Sequence, residues 1–157
     1  MFSITYGEVS FEEMVALIKA YLSQDISYEY KISIGADSQN FNYTKVPITI
    51  GIHKIANKIG KGGIFFSEIR RFSKINNIRQ KIFLETSLSL ELAIRLREKF
   101  KEEKIPNEIS VHIDAGLHGP SSQWVSEIRG WVVSCGFPCV IKPDSYMAST
   151  IANRLSK

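Results

Sequence analysis

Lys31-Ile32-Ser33-Ile34-Gly35-Ala36-Asp37-Ser38-Gln39-Asn40 is the stretch on which the reading of this chain turns. Tyr28, Tyr30, Ile32, Ile34 and Ala36 recur at every second position, with Lys31, Ser33, Gly35 and Asp37 between them, and that is the period of a β-strand. The strand ends on an acid and passes at once into turn-forming polar residues. A carboxylate at the C-terminal tip of a core strand is held rigidly yet meets solvent, and sheets with parallel strands bind ligands at that edge. Asp37 also has a plainer reading, an Asx turn that leaves the strand. The choice between them depends on what else the chain sends to the same place.

Upstream, residues 1–9 read as a lead-in, and Ser10 with Glu13 three positions on forms a capping box. It opens an amphipathic helix through Met14, Leu17, Ile18, Tyr21 and Leu22. Downstream, Asn40–Thr44 is a polar turn, and Val46, Ile48, Ile50 and Ile52 alternate as a second strand. Ile59-Gly-Lys-Gly-Gly63 reads as the next turn and Ile64 to Phe72 as a third strand, giving an antiparallel meander. From Asn77 to about Lys101 runs the longest helical pattern, with Ile78, Ile82, Glu85, Ser89, Leu92 and Leu96 on one stripe and Glu91 away from it. Pro106 and Asn107 break the chain, and Ile109, Val111 and Ile113 lead to a second strand end at Asp114. The small-residue loop Ala115–Ser122 precedes a helix over about 123–134, capped by Ser121 or Ser122. A fifth strand covers Cys139 to Lys142, and Pro143-Asp144-Ser145 opens a last helix to about Leu155.

The fold class is therefore α/β: one domain over 1–157, with a five-stranded mixed sheet of three antiparallel strands and then two parallel ones. Helices flank the sheet, and one helix precedes it. If the strands ending in Asp37 and Asp114 are parallel neighbours, they lie about 4.8 Å apart and their carboxylates nearly touch. Two such acids raise one another's pKa unless a cation lies between them. Glu85, on the inward stripe of the connecting helix, and Asp144, just past the fifth strand, complete a ring of four. Burying an unpaired carboxylate is expensive, so Glu85 needs a cation, a metal or water beside it. Each acid also has a bland role: Asp114 in a turn, Asp144 as a helix cap, Glu85 paired with Lys81. Oxygen donors without convergent Cys or His suit a hard divalent ion, Mg²⁺ or Mn²⁺.

Composition narrows the setting. An apolar fraction of 44% and a charged fraction of 23% are ordinary globular values. The N-terminus has no basic-then-apolar signal pattern and no apolar run is long enough to span a bilayer, so a cytoplasmic protein with no membrane partner is expected. Cys135 and Cys139 make no disulfide framework and read as reduced thiols. Net charge is +4, but between His53 and Lys81 eight cations face the single acid Glu68, a surplus larger than that of the whole chain. Such clustering is the footprint of a polyanionic partner, or else a lysine-rich solvated hairpin. Arg70, Arg71 and Lys74 are the candidates to grip a nucleic-acid backbone. Ser38 and Gln39 orient substrate or simply turn the chain. Lys142 neutralises phosphate or pairs with Asp144. His118, in the loop after Asp114, is a candidate for proton transfer or an ordinary exposed histidine, whereas His112 reads as a core histidine. Trp124 and Trp131, seven apart on a helix, read as core.

Carried on this order of elements, the phrases Gly35-Ala-Asp-Ser-Gln39, His112-Ile-Asp-Ala-Gly116, Gly130-Trp131-Val132 and Ile141-Lys-Pro-Asp-Ser-Tyr146 resemble the YkuK family of ribonuclease H-like bacterial proteins. The resemblance runs from about Ser27 to the end. It implies that Asp37 bridges metals, that Asp114 and Glu85 ligate them, and that Asp144 is a fourth, variable acid. The expected activity is divalent-metal-dependent hydrolysis of nucleic-acid phosphodiesters. The alternative is a nucleic-acid-binding module on the same fold without catalysis. Apolar strand edges leave the oligomeric state open.

Overall fold

The computed structural model describes residues 1–142. In chain order the elements are β1 (Phe2–Ser3), β2 (Gly7–Glu8), α1 (Phe11–Leu22), β3 (Glu29–Ala36), β4 (Gln39–Asn40), β5 (Tyr43–Ala56), β6 (Ile59–Ser73), α2 (Ile78–Glu102), β7 (Ile109–His112), α3 (Val125–Ser134) and β8 (Cys139–Val140). The sheet order is β2-β1-β6-β5-β3-β7-β8, with β4 paired to β5. The expected frame is present: β3, β5 and β6 form the antiparallel meander, and β7 and β8 continue it in parallel.

The sheet departs from five strands by three short ones, β1, β2 and β4. Each is two residues long, too short for alternation to mark it in the sequence. The expected turn at Ile59–Gly63 is also corrected. Asn57 and Lys58, both at positive φ, make the reversal, and those glycines lie within β6. Gly63 serves close approach, since a Cβ there would fall 2.7 Å from the Ile52 carbonyl oxygen, beside the register shift at His53/Ile55.

One sheet face, built by Ile32, Ile34, Ile48, Ile50, Phe66 and Val111, packs under α1 and α2 and is almost fully buried. The capping box at α1 is made in both directions, Ser10 Oγ accepting from Glu13 N–H at 3.0 Å and Glu13 Oε1 accepting from Ser10 N–H at 3.2 Å. Asn77 caps α2 by accepting from Gln80 N–H at 3.1 Å. The cap expected at Ser121 or Ser122 is absent: a 3₁₀ turn over Ser122–Trp124 leads into α3, and neither it nor α3 has a side-chain cap. Trp131 packs on the core, stacked with Phe83 at 5.9 Å, and Trp124 is half-buried against it. No described helix is long and apolar enough to cross a membrane.

Candidate active site

β3 and β7 pair in parallel with Gly35 opposite His112. Two residues further along each chain stand Asp37 and Asp114, so the register delivers both acids to one edge of the sheet. Glu85, two turns into α2, faces the same place. Together the three line a cleft of about 210 Å³, closed by Ile78, Lys81 and Pro120.

Glu85 is buried, and its partner is Ser38: the backbone N–H of Ser38 and its hydroxyl both donate to Oε2, at 2.7 and 2.5 Å. The alternative pairing of Glu85 with Lys81 is not made; Lys81 only adds a favourable field. Ser38 thus anchors Glu85 while lining the same cleft. Ser89, the other polar residue of the stripe, donates to the Glu85 carbonyl at 2.8 Å and is satisfied within its own helix.

The electrostatics follow from crowding. Burial, then the charges of Glu85 and Asp114, push Asp37 up to about 8, and a hydrogen bond to Asp114 adds to this. Burial pushes Glu85 up to about 7 against the two bonds from Ser38. Asp114 Oδ1 is buried and accepts no aligned hydrogen bond; what it has is charge, the Lys142 ammonium 2.8 Å away. The expected choice for Lys142 was phosphate or Asp144, and its partner here is Asp114. Backbone geometry fixes that contact: Lys142 N–H donates to the Ala115 carbonyl at 2.8 Å, and a Cβ on Gly116 would press the Lys142 side chain at 3.0 Å. Asp144 lies outside the described residues.

His112 is a buried histidine behind the cleft, held down to about 4 by burial and then by the nearby His53, so it is neutral near pH 7. His118 is exposed in the 115–121 loop. Among the described residues, no group of three His, Cys, Asp or Glu side chains is arranged to hold a metal as it stands. Cys135 and Cys139 are free thiols.

The basic segment divides between two ends of the sheet. Glu29 pairs with Ile55 and Ala36 with Ile48, so Lys54, Lys58 and Lys61 sit at the edge opposite Asp37, about 23 Å away at the rise of a strand. Lys54 lies over Tyr28 and Tyr21 there, at 4.8 and 5.5 Å. Arg70, Arg71, Lys74, Arg79 and Lys81 follow toward the other end, where Arg70 and Arg71 pair with Val46 and Lys45 and Lys81 lines the acidic cleft. Of these, Arg70 meets Glu91 and Arg79 meets Glu127, each at 3.9 Å. Arg71 and Lys74 are exposed, and Arg71 pairs across the strands with Lys45, a cation outside the segment singled out from sequence. Gln39 is half-buried opposite Lys45. Two further features escaped the sequence reading, the Ser38–Glu85 bond and the exposed aromatic Phe41. The written signal for the second is a pair of aromatics, Phe41 and Tyr43, inside a turn that otherwise reads as polar.

A mixed sheet with two strand-end acids and a third from the crossover helix defines a class of protein, and the sequence comparisons agree. The Ribonuclease H-like family profile matches residues 13–157, and the chain belongs to that family. Within it the chain belongs with YkuK: the uncharacterized protein YkuK of Bacillus subtilis (strain 168) is 30% identical over 169 residues, covering 99% of this chain and 96% of that protein. No solved structure matches.

Proposed function

We propose that this protein is a divalent-metal-dependent nuclease that hydrolyses phosphodiester bonds of nucleic acid at the Asp37–Glu85–Asp114 cleft, with Asp144 as a fourth acid, in a cytoplasmic setting. The observation that carries the reading is the Asp37–Asp114 pair: two carboxylates on adjacent parallel strand ends, one of them lifted to about 8. Such a pair is destabilised by its own charge until a cation joins it, and among the described residues the cation in ion-pair contact with it is the ammonium of Lys142. The donor set fits Mg²⁺ or Mn²⁺, being oxygen throughout, with a buried Asp114 oxygen lacking an aligned hydrogen bond.

Such an ion, when bound, polarises a phosphoryl oxygen and makes water a nucleophile at neutral pH. The chain's own residues supply the rest. Asp37 and Asp114 would give up their shared proton and their ion pair to hold the cation. Ser38 fixes Glu85 through Oε2 at the cleft. Lys142, released from Asp114, is placed to meet a phosphate. His118, exposed on the loop that follows Asp114, is the candidate to move a proton. Arg71 and Lys74 would grip the backbone beside the acids.

The test is cleavage of labelled DNA, RNA and hybrid strands with Mn²⁺ or Mg²⁺. The wild type should cut at least one of them, and Asp37→Asn should lose that activity while keeping its fold. Unchanged cleavage by the variant would sink the assignment.

One observation favours a second reading, a nucleic-acid-binding module without catalysis. The Lys142–Asp114 contact already neutralises part of the acidic cluster without a metal. In that case binding would be salt-sensitive and would survive Asp37→Asn.

A further inference from the structure

Beside the acidic edge, the turn from β4 to β5 and the first residue of β5 carry two aromatic rings in an unusual setting. Phe41 is 43% exposed at its tip, and its ring lies 5.6 Å from that of Tyr43, tilted by 31°. An exposed phenylalanine on a loose turn would mean little. This loop is fixed. Asn40 donates through its side-chain amide to the Ile75 carbonyl at 2.8 Å and accepts from Thr44 Oγ1 at 2.7 Å, and Thr44 Oγ1 accepts in turn from Ile75 N–H at 2.8 Å. The Phe41 N–H closes the loop onto the Tyr43 carbonyl at 2.8 Å. Thr44 is fully buried, so the ring of bonds is dry at its centre. The same lock joins the loop to the segment that opens α2, which carries Glu85.

On the hairpin beside this ledge the charges are cations. Tyr43 lies opposite Ser73, and two residues on Lys45 lies opposite Arg71, on the same side of the hairpin. Directly opposed like charges destabilise a strand pair. Among the described residues no carboxylate lies within ion-pair distance of Lys45, Arg71 or Lys74. Two facing cations and a third beside them, next to a rigid exposed ring, make a site for a phosphate with an aromatic base attached. Phe41 stands four residues from Asp37, at most about 14 Å along the chain, so one strand can reach both.

We propose that Phe41 and Tyr43 form a stacking ledge for an unpaired base, with Lys45, Arg71 and Lys74 holding its phosphates, so that the site takes single-stranded nucleic acid rather than a duplex. The inference rests on the nuclease reading only for the direction in which the strand runs, toward Asp37. A stacked duplex offers no free base face, whereas a single strand lays one on the ring at little cost. Binding and cleavage are separable, so each can fail without the other.

The experiment is fluorescence anisotropy on labelled twelve-nucleotide single strands of DNA and RNA and on the matching duplex, in EDTA to silence any cleavage. Strands carrying 2-aminopurine report stacking directly. The wild type should bind a single strand more tightly than the duplex and quench the 2-aminopurine. Phe41→Ala/Tyr43→Ala should weaken single-strand binding by roughly 5- to 100-fold, abolish the quench, and leave the salt dependence as it was, because no charge is removed. Phe41→Trp, which keeps a ring at that position, should keep the quench that the alanines abolish. Lys45→Gln/Arg71→Gln should instead lower the salt slope by about two contacts. Equal affinity for single strand and duplex, or a double-alanine variant within twofold of the wild type, would overturn the ledge. A protein that stacks the base and never cuts would overturn the nuclease reading alone; one that cuts duplex and ignores the ring substitutions would overturn only the ledge.

Discussion

Burial and the carboxylates of Glu85 and Asp114 lift Asp37 to about 8, so near pH 7 the folded protein keeps a proton that the unfolded chain releases. A carboxyl whose folded pKa lies above its unfolded value near 3.8 contributes stability that is full below that value and is lost as pH rises through about 8. In metal-free buffer the melting temperature of Asp37→Asn should therefore gain on the wild type steadily between pH 4 and pH 8.5. The asparagine keeps the shape and cannot ionise. A difference that stays constant over that window would mean that Asp37 titrates as an ordinary acid, unperturbed by burial or by Glu85 and Asp114. Glu85 stays in both proteins, so its own rise to about 7 largely cancels in the comparison.

At the scale of elements, the β5–β6 hairpin is where a single methyl group decides geometry. Gly63→Ala would drive a Cβ to 2.7 Å from a backbone oxygen and should cost about 1–3 kcal/mol by overpacking, read as a fall in the denaturant midpoint. Gly60→Ala, in the same strand with nothing near it, should be neutral or slightly stabilising. Equal effects would mean that Gly63 is not the close-approach residue. This hairpin also shows what the sequence could and could not reveal. The alternation from Val46 to Ile52 gave the strand, but Ile59–Gly63 looked like its turn because glycine usually marks one; here it marks the near approach of two backbones, and Asn57-Lys58 makes the reversal. Asp37 and Asp114 were legible as neighbours because each ends a strand, and parallel pairing follows from the helix between. Ser38 as the partner of Glu85 was not legible, since 47 residues separate them and no local period records the contact. The far placement of Lys54, Lys58 and Lys61 was hidden for the opposite reason: closeness in sequence to Arg70 does not survive a long hairpin.

Across the whole molecule the sheet acts as a ruler with two unlike ends. β3, held between β5 and β7, sends its C-terminal tip to the acids, the locked aromatic loop and the cations Lys45, Arg71 and Lys74. Its N-terminal end meets the lysine-bearing hairpin tip. A molecule that gathers cations and carboxylates at one edge is coherent when a divalent ion joins the carboxylates and leaves the cations for a phosphate, as proposed above. The measurement that tests this most directly is thermal unfolding at pH 8 with and without Mn²⁺, on the wild type and Asp37→Asn side by side. A ligand bound only by the folded state adds about 2.7 kcal/mol at a hundredfold excess over its Kd, which is several degrees for a chain of this size. The wild type should rise by such an amount, and Asp37→Asn should rise far less or not at all. No rise in the wild type up to millimolar Mn²⁺, or an equal rise in both proteins, would contradict a cation site built on Asp37.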